Sequence, residues 1–282
     1  MICRKQQLYN STCTRKFDYG ADIMHKKPRS KKILLGIRLF CFLILSVSGT
    51  LLARDLHRYH REGSANRKLA DRVQQARSAG TSDPDVSSSD SRFGIYADLH
   101  QENSDFTGWL YIEDTRIDYP VMYTPQDPEH YLYRAFDGSY AKSGSLFIDA
   151  ACLPDTNHIM IHGHHMKDKS MFGSLPNYQT QDYAEEHSVI RYDTLAEAEE
   201  YELLSAFYTE INSDQEESGF RYYEYTDLSD PMVFKEYISQ VKNKSLYDSD
   251  TEAVYGDKIL TLSTCSYHTE DGRFVIVAVK HD

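Results

Sequence analysis

Two short segments near the C-terminus pair a thiol with a fixed cation. The run "KILTLST" (258–264) is followed by Cys265, and "RFVIVAV" (273–279) begins on Arg273, with seven residues between the cysteine and the arginine. If the two runs are neighbouring antiparallel strands joined by a turn, the strand-end thiol and the strand-start guanidinium meet. A nearby positive charge favours the thiolate, which is the nucleophilic form. The same guanidinium can stabilise an oxyanion during acyl transfer. Taken alone, a cysteine followed by an arginine is a weak signal, and a buried structural thiol is the commoner case.

Cysteine nucleophiles need a partner that moves protons near neutral pH, and histidine does this best. Four of the twelve histidines fall in "HIMIHGHHMKDKSMFGSL", at His158, His162, His164 and His165. His158 and His162 share a strand face with Met160 between them, and His164 follows Gly163, where a strand would end. Two alternatives stay open for the cluster. His162, His164 and His165, with Asp168, could ligate a metal, or the segment could be a solvated histidine-rich loop. Of the five cysteines, Cys3 and Cys13 precede the apolar run and Cys41 lies inside it, leaving Cys152 and Cys265 in the body. A bridge between those two is the structural alternative, and it would consume the thiol the motif points to.

The elements that must position these residues are mostly strands. "GWLYI", "IDYPVMY", "GSLFID" (144–149) and "HIMIHG" (158–163), then 189–192, 201–209, 258–264 and 273–279, have β-type composition bounded by turn residues. The last is apolar almost throughout, as a strand buried on both faces requires. Residues 93–102 predict a short helix. Asp230–Pro231 supplies an N-cap and a first-position proline, and Val233, Phe234, Tyr237, Ile238 and Val241 recur at helical spacing, which predicts a helix over 231–242. Many short strands with few helices imply a mainly β domain, a barrel or sandwich with helical insertions.

Charge divides the chain. Residues 1–92 carry 18 Lys/Arg against 8 Asp/Glu, and residues 93–282 carry 13 against 35. An acidic body repels phosphate backbones, which excludes nucleic acid as its partner. Ile33 to Ala53 is the one long apolar stretch, and about 20 residues suffice to cross a hydrocarbon core of about 30 Å. Lys26, Lys27, Arg29, Lys31 and Lys32 precede it and favour a cytoplasmic N-terminus, although Arg54, Arg58 and Arg61 lie beyond it. A cleaved signal peptide is the rival reading. The expected organisation is a basic cytoplasmic tail (1–32), a membrane anchor (33–53), a stalk helix broken near Gly63 with a flexible spacer over 78–92 (together 54–92), and an extracellular catalytic domain (93–282).

Three motifs together resemble the class B sortases. "NHIMIHGHHMKDKSMFGSLPNY" is similar to that family's strand and loop around a Gly-His pair, "LTLSTC" to its nucleophile strand, and "GRFVIVAV" to its arginine strand, in the family's order. The resemblance covers Phe93 to the C-terminus and implies a closed barrel of about eight strands with N-terminal helices and a helical insertion before the nucleophile strand. It implies a cysteine transpeptidase with Cys265 as nucleophile, His164 as general acid/base, Arg273 as the arginine, and Thr264 and Ser263 near the oxyanion or substrate. His162 stands where the family often has tyrosine. It further implies no cofactor or metal and a monomer on a Gram-positive-type cell. Its partners would be surface proteins bearing a C-terminal sorting signal and an amine acceptor such as a peptidoglycan precursor. A pilin-polymerising sortase, a non-transferring cell-wall cysteine peptidase and a non-enzymatic binding module are the competing readings.

Overall fold

The computed structural model describes residues 31–79, 88–152, 156–211, 220–266 and 271–280. The chain divides into two compact units, residues 1–52 and 53–282. The first holds the apolar start of the helix α1 (Lys31–Ala79), a stretch that by length and composition can cross a membrane, with Leu39, Phe40, Phe42 and Leu45 all exposed.

In the second unit, eight strands close into one ring: β1 (Phe106–Tyr111), β2 (Asp118–Met122), β3 (Leu146–Ile148), β4 (His158–Gly163), β5 (Val189–Thr194), β6 (Ala198–Glu210), β7 (Lys258–Cys265) and β8 (Gly272–Lys280). The order around the ring is β1-β2-β3-β4-β7-β8-β6-β5, so the sandwich alternative is set aside. Only β2–β3 and β4–β7 run parallel. Closure follows from alternation. Inward positions such as Leu110, Val121, Ile161, Leu260, Leu262, Phe274 and Ile276 form one core inside the ring.

The outward face of β4, β7 and β8 has a second apolar layer. Met160, Ile259, Val275, Val277 and Val279 pack under Phe234, Tyr237 and Val241 of α4 (Pro231–Lys244). This is why β8 reads as apolar on both faces. The α4 start is fixed as the sequence predicts, with the Asp230 carboxylate accepting from the N–H groups of Met232 at 2.7 Å and Val233 at 3.1 Å. Helix α3 (Gln181–Glu186) is a short turn before β5.

A third cluster joins the end of α1 and α2 (Ser88–Glu102) to β1 and β2, through Val73, Tyr96, Leu99, Phe106 and Trp109. Asp193 at the end of β5 receives the Tyr96 hydroxyl at 2.7 Å and the Arg77 guanidinium at 3.3 Å.

Two sequence expectations change here. The stalk is not broken at Gly63: α1 passes through it without interruption. One glycine costs a helix about 1 kcal/mol, and its neighbours Glu62 and Asn66 make side-chain contacts to loops elsewhere in the chain. Part of the expected spacer is helical as well, since α2 begins at Ser88 rather than Phe93. Ser and Asp weaken a helix interior but suit its first turn, and Tyr96 and Leu99 anchor the rest by burial. Residues 80–87, the middle of that spacer, lie outside the described residues, as do Cys3 and Cys13.

Candidate active site

Strand register brings the three distant motifs into one row. On parallel β4 and β7, His162 pairs with Ser263 and Gly163 with Thr264, so His164 and Cys265 come next on their respective strands. On antiparallel β7 and β8, Cys265 pairs with Arg273. The two-residue period then fixes the face. Cys265 shares the outward side with Thr261 and Ser263, Arg273 with Val275 and Val277, and His164 with Met160 and His158. Cys265 and Arg273 therefore lie side by side on β7 and β8, and His164 directly follows the last residue of the neighbouring β4, one step past the Gly163–Thr264 pair.

Each member of the row is held differently. Cys265 is free and exposed, and its carbonyl is hydrogen-bonded by Nδ1 of His165 at 2.9 Å. Arg273 is half-buried and donates from Nη1 to the carbonyls of Gly272 at 3.0 Å and Asp271 at 3.4 Å, which keeps the guanidinium close to the turn. Nε2 of His164 lies 2.8 Å from the carbonyl of Leu132, and the Tyr133 ring tilts against the imidazole with centroids 5.4 Å apart. A carbonyl only accepts, so Nε2 carries the proton.

Thr264 and Ser263 are both buried and both engaged. Thr264 faces the ring interior, and its hydroxyl donates to the carbonyl of Gly163 at 2.8 Å, clamping β7 to β4 just below the row. Ser263 faces outward and shares a 2.6 Å hydrogen bond with the hydroxyl of Tyr222. Burial pushes the Tyr222 phenol up to about 12, against the pull of the Ser263 hydrogen bond and Arg273, with Cys265 adding to the rise. Tyr222 thus sits against Ser263, near enough to Cys265 and Arg273 to feel the charge of each. The sequence argument missed it because its segment has no motif, and missed the Leu132 carbonyl because main-chain groups leave no trace in residue type. Tyr267 lies outside the described residues.

The four clustered histidines have four separate partners, and this disperses the ligand set considered above. His158 is wholly buried between the Tyr225 carbonyl and the Thr261 hydroxyl, His162 meets Asp149 at 3.0 Å, and His164 and His165 turn to different carbonyls. Among the described residues no group of three or more His, Cys, Asp or Glu is placed to hold a metal ion. Cys152 is free and buried on the other side of β4 from the ring axis, packed with Met160, so no bridge ties it to Cys265. Burial pushes its thiol up to about 12.

Comparison with known proteins agrees with this architecture. The family described as the sortase domain matches residues 110–281, more than half of the chain. Sortase B of Listeria monocytogenes is 34% identical over 186 residues, 64% of this chain and 71% of that protein. Sortase B of Staphylococcus aureus is 29% identical over 187 residues, 65% of this chain and 73% of its own length. The solved Staphylococcus aureus sortase B–substrate complex superposes with a TM-score of 0.68 at 25% identity, over 80% of this chain and 99% of that one. Sequence family, relatives and ring topology converge, and the chain is a class B member of the sortase family, the cysteine transpeptidases.

Proposed function

We propose that Cys265 is the nucleophile, His164 the general acid/base and Arg273 the electrophilic partner of a two-step acyl transfer onto a cell-wall amine. The observation that supports this reading is the strand register, which pairs the exposed Cys265 with Arg273 and ends β4 beside Thr264, one residue before His164. In the first step the Cys265 sulfur attacks a backbone carbonyl of a C-terminal sorting signal. The C–N bond breaks, and the leaving amine takes a proton from Nδ1 of His164, the nitrogen not engaged with Leu132. The product is a thioester. In the second step a primary amine attacks the thioester carbon, gives a proton back to Nδ1, and the C–S bond breaks to release the thiolate. Arg273 supports the negative charge on the carbonyl oxygen in both steps.

Related structures favour this choice of substrates, since solved sortase B proteins include a complex with substrate and a complex with triglycine. We assign residues 33–53 to a single-pass anchor, with the basic residues 26–32 on the cytoplasmic side and the catalytic domain outside.

The test is a peptide-library cleavage assay on the full chain in detergent micelles, with and without triglycine, followed by intact mass. Wild type should form an acyl adduct on Cys265 and, with the amine present, a ligated product, while Cys265→Ala forms neither. Cleavage that ignores added amine would identify a hydrolase, and thiol-independent binding without turnover would identify a binding module.

A further inference from the structure

The Leu132 carbonyl that engages His164 sits in a loop, yet it is fixed from outside the ring by α1. The stretch 141–145 turns back against 131–134. Ala141 N–H donates to the Tyr133 carbonyl at 3.0 Å, Ser145 N–H to the Tyr131 carbonyl at 3.0 Å, and the Ser145 hydroxyl to the Arg134 carbonyl at 2.9 Å. Gly144, at φ +59°, lies so close to this strip that a Cβ there would meet the Leu132 oxygen at 2.4 Å. The far side of the turn is capped by the half-buried Glu62 of α1. Its carboxylate accepts from the N–H of Lys142 at 3.1 Å, the N–H of Ser143 at 3.4 Å and the Ser143 hydroxyl at 3.3 Å.

Neighbours of Glu62 on the same helix hold both segments that flank His164. Arg58 covers the Tyr140 ring at 5.6 Å, and Tyr140 stacks on Tyr133, which meets the imidazole. On the other flank, Tyr59 lies near enough to Asp168 for its phenol to be raised by burial and by that carboxylate, and Asp168 caps Ser170 through its N–H at 3.1 Å and its hydroxyl at 2.7 Å. This loop begins at His164, whose own carbonyl accepts from Met166 and Phe172.

We infer that Glu62 is a positioning residue for the catalytic histidine, acting through the 141–145 turn to hold the Leu132 carbonyl against Nε2 of His164. The inference rests on the role proposed above for His164. The segment of α1 beyond the membrane stretch is then part of the catalytic apparatus and not a tether alone. Its chemical effect is to choose the tautomer. With Leu132 in place Nε2 keeps its proton and Nδ1 trades protons with the reacting groups. With Leu132 displaced, the proton redistributes between the two nitrogens and a fraction of the enzyme presents the wrong one.

The experiment uses the full chain in detergent micelles with 15N-labelled histidine. Long-range 1H–15N spectra report the tautomer of His164, assigned with a His164→Asn chain, and steady-state acyl transfer is followed in parallel. Glu62→Ala should shift His164 from the Nε2–H form to a mixture and lower kcat about tenfold, while KM for the sorting peptide stays within about twofold. Glu62→Gln, which keeps one acceptor oxygen, should recover part of both. Arg72→Ala, on the same helix as Glu62, breaks an ion pair with Glu102 of α2 away from both loops, and should leave tautomer and kcat unchanged. The inference is overturned if Glu62→Ala keeps the wild-type spectrum, whether kcat is also unchanged or falls together with the thermal midpoint. Should wild type form no adduct on Cys265, the functional reading fails by itself, and the histidine spectrum still decides the role of Glu62.

Discussion

The outward face of β4 and β7 carries a histidine near a polar β7 side chain toward each of its ends, and the two ends behave in opposite ways. At the lower end Nε2 of His158 lies 2.8 Å from the Thr261 hydroxyl, which also bonds Tyr237 of α4 at 2.7 Å. At the upper end His164 stands beside Cys265. Strands and face are shared, and the cover is what differs. Under α4 the imidazole is fully buried, with both nitrogens bonded, and burial lowers it to about 4. It is neutral at working pH and braces the layer. Past α4 the thiol is exposed and reachable. Chemistry here depends on where the helical insertion ends as much as on which residues the strands carry.

The largest effect should come from the uncovered end. Cys265→Ala is expected to lower acyl transfer by roughly 10^3-fold or more, read as loss of the thioester adduct. An adduct formed on Cys152 instead would break the contrast between the two ends.

The covered end is probed by acid. His158 titrates lower in the folded chain, about 4, than its ordinary 6.5, so the native state binds fewer protons than the unfolded state between those values. Stability should fall as pH drops from about 6.5 to about 4, by about 3 kcal/mol in all. Denaturant midpoints across this range check it, and His158→Gln should flatten the slope.

Arg273→Ala should reduce kcat/KM roughly 10^2-fold, with Arg273→Lys recovering part of the loss because charge returns without the planar fork. A smaller effect belongs to the buried thiol. Cys152→Ala should cost about 1–2 kcal/mol of stability and leave thiol labelling of native protein unchanged. Its own sulfur is protonated and enclosed, whereas Cys265 is free and exposed.

Much of this was legible in residue order because it depends on periods and ends. All eight strands correspond to apolar runs in the sequence, α4 to its Asp-Pro start and apolar spacing, and the doubly apolar β8 to a strand with a layer on each side. The row of His164, Cys265 and Arg273 needed one further step, the parallel β4–β7 register, which no local pattern specifies. The uninterrupted α1 was not legible. Gly63 lowers local helicity, while the contacts that hold the helix there are made to loops about 80 and 105 residues away, as in Glu62 with Ser143 and Asn66 with Met171. Tyr222 and the Leu132 carbonyl escaped for a related reason, since one owes its place to a short turn (Tyr222–Glu224) and the other has no side chain to announce it.

The closed ring also restricts how a client can be gripped. Extended peptides are commonly held by joining the rim of a sheet, where unpaired N–H and C=O groups accept a new strand. Here every described strand already has two neighbours. On the function proposed above, a sorting signal would be recognised by the side chains and loops around Cys265 rather than by main-chain lamination. Its selectivity should follow the loops, and grafting loops between sortases should move specificity while leaving the ring untouched.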